Sequence, residues 1–225
     1  MTRSAVIVST ARTAIGRAYK GGFNDTKGAT LGSYSLAPAI ERAKIEAGEI
    51  DDVIWGAALQ QGAQAGNLGR QVALRAGCPI GTSGMTIDRQ CSSGLMSIAT
   101  AAKQIIDDGM TIAVGGGVES ISLCQNEHRN GFRAADPWIK EHVPALYMSM
   151  LETAEIVGER YNVSRDYQDE YALRSHQRAV AATEDGRFDG QIVGVPVSQR
   201  RGDPKIFDRD EGPRADTSLE VLARL

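Results

Sequence analysis

Residues 84–117 read GMTIDRQCSSGLMSIATAAKQIIDDGMTIAVGGG, and this stretch decides the fold class. A short apolar run passes through Cys91 into a segment with apolar residues at every third or fourth position. After Gly109 a second short apolar run ends in three glycines. Strand, helix and strand in that order is the unit of a parallel sheet, because a crossover helix carries the chain back to start a neighbouring parallel strand. Leu95, Ile98, Ala99, Ala102, Ile105 and Ile106 share one helical face, which is expected to bury against the sheet.

The alternation continues outward on both sides. SAVIVST (4–10) and DVIWGAAL (52–59) read as buried strands. GSYSLAPAIERAKIEAG (32–48) reads as a helix ending at Gly48, with Pro38 expected near its first turn, and AGNLGRQVALRAG (65–77) as a helix stopped by Gly77. Residues 118–144 are polar and irregular, with Pro137 and Pro144, and are too long for a simple connection. Two helices are expected next, Leu146–Tyr161 and one from a Ser164 cap to about Thr183, then a fifth strand in GQIVGVPV (190–197). TSLEVLARL opens with Thr217 and Glu220 in a capping-box spacing, and the chain ends two turns later. That ending reads as a fragment or as one piece of a nicked protein. The class is α/β, with helices covering a sheet.

Composition excludes several functions. Formal net charge is −3 over 225 residues, with no basic footprint for nucleic acid. No apolar run approaches a membrane span, and the N-terminus lacks the apolar core of a signal peptide. The three cysteines, Cys78, Cys91 and Cys124, match no zinc-ligand spacing and are expected to be reduced thiols in a cytoplasmic protein. The glycines at 115–117 lack the spacing of a dinucleotide fingerprint and read as sites of close backbone approach.

Cys91 stands where a strand gives way to a helix, taken as about the first helical position. Unpaired N–H groups and the helix dipole there stabilise an anionic thiolate, and Ser92, Ser93 and Gly94 keep the approach open to a bulky thioester. A packed small hydrophobe is the alternative, and the residues alone leave both open. A nucleophilic cysteine needs a base and an oxyanion site, and His128, His142 and His176 offer no persuasive base by sequence context.

With these residues in view, the chain resembles the thiolase family of acyl-CoA C-acyltransferases along essentially its whole length. VIVSTARTAIGRAYKGGF is similar to that family's opening segment, GNLGRQVALRAG to its second helix and CSSGLMSIATAAKQI to its nucleophile helix. VGGGVESIS, the 150–188 segment and SLEVLARL resemble further family segments. The resemblance implies the layered αβα fold of the superfamily, with an N-terminal core at 1–117 and an inserted loop domain at 118–225. It implies Cys91 as the residue that takes the acyl group as a thioester, in thiolysis of a 3-ketoacyl-CoA or condensation with acetyl-CoA.

Other roles follow from the same resemblance. Arg214, Met150 and Ser149 match positions near coenzyme A or the acyl pocket, while Leu151 and Glu152 depart from the family pattern. Asn67 and Arg70 match a structural pair. No tightly bound cofactor is expected, only coenzyme A or acyl-CoA as substrate. The implied assembly is a homodimer or homotetramer, with 118–144 in tetramer contacts, and the implied setting is fatty acid metabolism. The family's histidine base, second cysteine and part of its oxyanion hole come from a C-terminal half that no segment here matches. The chain alone is therefore expected to be inactive unless that half is present as a separate chain. A ketosynthase-like condensing enzyme and a non-catalytic acyl-CoA- or lipid-binding half-thiolase are the alternatives.

Overall fold

The computed structural model describes residues 3–199 and 201–225. Two compact units divide it: the chain up to Arg129 with Asp189–Gly212, and Asn130–Phe188 with Pro213–Leu225. Residues 118–129 and 189–212 thus group with the first unit, whereas the expected division lay at 117/118.

The first unit begins with β1 (Arg12–Thr13), α1 (Gly28–Ala43), β2 (Asp52–Gly56) and α2 (Leu68–Arg75). It continues through β3 (Ser83–Ile87), α3 (Ser93–Ile106), β4 (Ala113–Gly117) and α4 (Ile121–Cys124). β3, β2 and β4 form a parallel sheet in that order, with Gly56 opposite both Ile87 and Gly117. Every residue of the central strand β2 is buried. Val53, Trp55 and Ala57 join Leu36 and Ile40 of α1 and Leu68, Val72 and Ala73 of α2 in the main apolar core. Each of the valines, leucines and the isoleucine among them contributes about 1.5–3 kcal/mol by leaving water. Alternation along β2 turns Gly56 to the other face, against the start of α3. Helices therefore cover both faces, as parallel strands require.

A pair of aspartates joins the three strands where they begin. Asp51 accepts hydrogen bonds from the Thr111 and Ile112 N–H groups through its side chain, and from the Ser83 N–H and hydroxyl through its carbonyl. The buried Asp52 carboxylate accepts from Gln104 of α3 at 2.8 Å. At α2, Asn67 caps the helix by accepting the Arg70 N–H and donates to the Gly84 carbonyl. The Arg70 guanidinium reaches the Ile80 and Thr82 carbonyls, so both residues fasten α2 to β3.

α3 packs with the face opposite to the expected one. Ser93, Ser97, Ala101 and Gln104 are buried, while Leu95 and Ile98 are 72% and 43% exposed and Ile106 is also exposed. The cause lies in the glycines of β4. A Cβ on Gly115 would sit 2.6 Å from the Ile98 Cα, and the Ser97 hydroxyl lies 2.6 Å from the Gly116 carbonyl oxygen. Backbones that close leave room only for small side chains between helix and sheet.

The strand expected at 4–10 does not form. Pairing is confined to Arg12–Thr13, parallel to β5 (Ile192–Val193), and Val6, Ile7 and Val8 are 73, 76 and 71% exposed. β-propensity makes a segment fit for a sheet but supplies no neighbour, and among the described residues no strand lies beside it. An apolar cavity of about 760 Å³ separates this segment from α1, α3 and β4, with Val6, Leu36, Ile98 and Val114 in its lining. α1 starts at Gly28 and ends at Ala43, so Pro38 falls in its interior, and Lys44 closes it in a left-handed conformation. The fifth strand is split at Gly194 into β5 and β6 (Val195–Val197), the latter antiparallel to β7 (Lys205–Phe207).

Asp210 and Glu211 organise the loop after β1. Asp210 makes a bidentate pair with Arg12 at 2.8 and 3.0 Å and accepts the Ile15 N–H, while Glu211 accepts the Arg17 and Gly22 N–H groups. The Arg12 guanidinium holds the Asp210 carboxyl below its usual range, against partial burial and with help from the Ile15 N–H. With the folded value below the unfolded one, this stabilisation is complete above about pH 4 and fades as pH falls through the folded value. Urea midpoints measured from neutral to acid pH should fall in that window for the native chain. Asp210→Asn should lower the neutral midpoint and flatten the acid limb; an unchanged acid limb would refute the assignment.

The second unit holds α5 (Pro137–His142), α6 (Met150–Arg160), α7 (Arg165–Glu184) and α8 (Leu219–Leu222). α7 begins after Ser164, as its sequence indicates. α6 starts four residues later than expected, because Pro144–Tyr147 form a separate 3₁₀ turn. The cap of α8 is Ser218, not Thr217; its hydroxyl accepts the Val221 N–H. Arg165 joins α7 to α8 by donating to the Leu222 carbonyl, while its Nε pairs with Asp169 one turn along α7. Among the described residues no helix is long and apolar enough to cross a membrane.

Candidate functional site

The parallel strands β2, β3 and β4 end in register, and ligands of open α/β sheets gather outside such carboxyl ends. The loops after β2 and β4 are tied together there. Glu119 accepts the Ala58 and Leu59 N–H groups and the Gln64 side-chain amide, and the buried Gln64 accepts the Ser120 N–H. The sequence reading missed this tie, since nothing in the spacing of residues 64 and 119 marks them as partners.

The turn after β3 carries Cys91. Gln90 takes a left-handed φ of 49°, unusual for a residue with a side chain. Its N–H donates to the Asp88 carboxylate at 2.7 Å, and its carbonyl accepts both the Ser93 N–H at 3.0 Å and the Ser93 hydroxyl at 2.6 Å. The same hydroxyl accepts the Arg89 N–H at 2.9 Å, so the buried Ser93 uses it as donor and acceptor at once. The Ser92 N–H closes the turn onto the Arg89 carbonyl.

The helix proper begins at Ser93, with Ser92 as its N-cap. Cys91 therefore stands two residues ahead of the first helical residue, not at helix position one. The left-handed Gln90 and the turn it closes occupy the positions assigned to the helix start. Under this start lies Gly56, where a Cβ would meet the Ser93 carbonyl carbon at 2.4 Å, and Gly117 lies beside Gly94.

All three cysteines are free, but only Cys91 is exposed. Burial pushes the Cys78 thiol up. Burial also pushes the Cys124 thiol up, with backbone hydrogen bonds opposing it, and its Sγ donates to the Gln61 carbonyl at 3.3 Å. Neither is presented to a reactant, which leaves Cys91 as the thiol that can meet one.

The other sequence-assigned site residues belong to the second unit. Ser149 is the N-cap of α6: its hydroxyl accepts the Glu152 N–H and lies 2.9 Å from the Glu152 carboxylate. The Ser149 N–H, and after it the Ser149 hydroxyl, donate to the Glu152 carboxylate and hold that carboxyl below its usual range. Met150, next along, is 74% exposed. Arg214 is exposed, and its N–H donates to His176 Nδ1 at 3.2 Å, a link between distant parts of the chain that no motif announced. His128 and His142 are exposed; His142 stacks on Trp138, with ring centroids 4.2 Å apart. Among the described residues no group of histidine, cysteine and carboxylate side chains could hold a metal ion.

Comparison with known proteins accords with this geometry. The family model described as "Thiolase, N-terminal domain" matches residues 5–225. The 3-ketoacyl-CoA thiolase of Bacillus subtilis is 38% identical over 99% of this chain and 59% of its own length. The acetyl-CoA acetyltransferase of Pseudomonas aeruginosa is 36% identical, also over 99% and 59%. Among solved structures, the acetyl-CoA acetyltransferase of Bacillus anthracis superposes with a TM-score of 0.86 at 38% identity, over 100% of this chain and 58% of that one. The chain thus spans about three-fifths of the length of these relatives.

Proposed function

The chain belongs to the thiolase family, and on that premise we propose that Cys91 accepts an acyl group from an acyl-CoA or 3-ketoacyl-CoA thioester. The observation that carries the reading is that Cys91 is the one exposed cysteine and sits at the carboxyl edge of the parallel sheet. With an acyl-CoA, the thiolate attacks the thioester carbonyl, the tetrahedral adduct collapses, and coenzyme A leaves as its thiolate. With a 3-ketoacyl-CoA, attack falls on the 3-keto carbonyl. The bond between C2 and C3 breaks, and the departing acetyl-CoA carbanion takes up a proton. Both routes leave an S-acyl cysteine, and exchange between thiolates of similar basicity is nearly balanced and reversible.

Ser149, Met150 and Arg214 are assigned to the coenzyme A side of the same reaction, with Arg214 facing phosphate groups and Met150 the acyl chain. No bound cofactor enters either route; coenzyme A is a substrate. Residues 1–117 are assigned to the catalytic core and 118–225 to a loop domain, within a homodimeric or homotetrameric assembly. Turnover requires a base and a proton donor that no residue of this chain is assigned to supply, so capture of the acyl group is the step proposed for it.

Incubating the chain with acetyl-CoA, whose coenzyme A leaves as its thiolate without a proton donor, and reading its intact mass tests this. One acetyl adduct per chain, mapped to the Cys91 peptide and absent from Cys91→Ala, is the expected result. No adduct on the native chain, or the same adduct on Cys91→Ala, would overturn it.

A further inference from the structure

The turn that presents Cys91 is held at both ends of one strained residue. Gln90 sits in the left-handed region, which a non-glycine residue keeps only when its surroundings fix it. Asp88 takes its N–H, Ser93 takes its carbonyl twice, and the Ser93 hydroxyl also anchors the Arg89 N–H. The Ser93 hydroxyl is buried under the helix start, where water cannot replace it. Cys91 itself is exposed, and its Sγ makes none of the bonds that hold the turn. The backbone that carries the thiol is therefore held by Asp88 and Ser93 and not by any bond of the thiol itself.

We propose that Asp88 and Ser93 are positioning residues for Cys91, a two-sided clamp that keeps Gln90 left-handed and fixes the turn that carries the thiol. The proposal rests on the nucleophile reading for its purpose, but not for its test. A turn fixed just ahead of a helix start keeps a reacting group near that terminus, and a relaxed turn keeps it there only part of the time. Asp88 acts here through a carboxylate oxygen that accepts one N–H, a task that an asparagine carbonyl performs equally well.

The test is the rate of iodoacetamide alkylation at neutral pH in the full chain, resolved by peptide mass. Cys78 and Cys124, both buried, report in the same sample whether the fold has opened. Asp88→Ala and Ser93→Ala should slow alkylation of Cys91 by roughly two- to fivefold, the range that a helix terminus contributes. Cys78 and Cys124 should stay protected, and Asp88→Asn should not be slowed. Because Cys91 is already exposed, gained access cannot mask the change. If Ser93→Ala exposes Cys78, the two Asp88 variants decide alone. Equal rates for Asp88→Ala and the native chain would overturn the clamp, as would an Asp88→Asn as slow as Asp88→Ala. A missing acyl adduct would remove the nucleophile reading and leave this measurement standing, since alkylation needs no acyl-CoA.

Discussion

Replacing Gly56 with alanine is expected to cost about 3 kcal/mol of folding stability or more, the upper end of what overpacking does in a well-filled interior. The added methyl would stand 2.4 Å from the Ser93 carbonyl carbon and 2.6 Å from the Gly94 nitrogen. Both are backbone atoms, so no rotamer change relieves the contact. β2 cannot retreat, because it is paired on both sides and fully buried. The start of α3 must move instead, and with it the turn that carries Cys91. Urea unfolding should show a lower midpoint with an unchanged slope. Gly94→Ala is the control: nothing lies within 4 Å of its added methyl, so its midpoint should stay close to native. A Gly56→Ala chain as stable as the native one would mean that α3 does not rest on β2 as described.

Trp55→Ala should be comparably damaging, at about 3–5 kcal/mol. Trp55 is 2% exposed, and its indole fills the space beside Gly32 of α1 and Gly116 of β4. Truncation would open a cavity that three elements border and that sheet pairing keeps from collapsing. The indole N–H is buried with no partner among the described residues, which predicts a specific contrast. Trp55→Phe removes that orphaned donor while keeping most of the ring, so it should cost far less than the alanine. Thermal or urea unfolding of the two variants checks this, and equal losses would show that the N–H contributes more than the packing.

Much of the first unit was legible because its signals are local. DVIWG is a short run long enough only for a buried strand, and AGNLGRQVALRAG marks α2 by its pattern and its stop at Gly77. Ser164 announces α7 by its cap. What escaped the sequence depends on distance. The periodicity of α3 correctly marked a helix, but the wrong face was assigned to the sheet. The glycines of β4 set how near the helix comes, and they lie beyond the helix itself. SAVIVST has the composition of a strand, yet pairing is a property of two segments. For the candidate site, the place of Cys91 between a strand and a helix was legible, while the residues alone left open whether it is a nucleophile or a packed hydrophobe. Its clamp was not legible, since Ser93 looked like a small residue leaving room, and its value lies in where its hydroxyl points. The bond between His176 and Arg214 joins two segments that no periodic pattern relates.

The open apolar surface of the first unit has a consequence for the life of the chain in a cell. Val6, Ile7 and Val8 present unpaired backbone beside apolar side chains, and Leu95, Ile98 and Ile106 form a stripe on α3. These are the features that holdase chaperones and proteases read when they sort newly made proteins. Anything that covers them withdraws the chain from that sorting by mass action, in proportion to how tightly it binds. Whatever covers those two strips of surface therefore adds directly to the stability that unfolding of this chain would report.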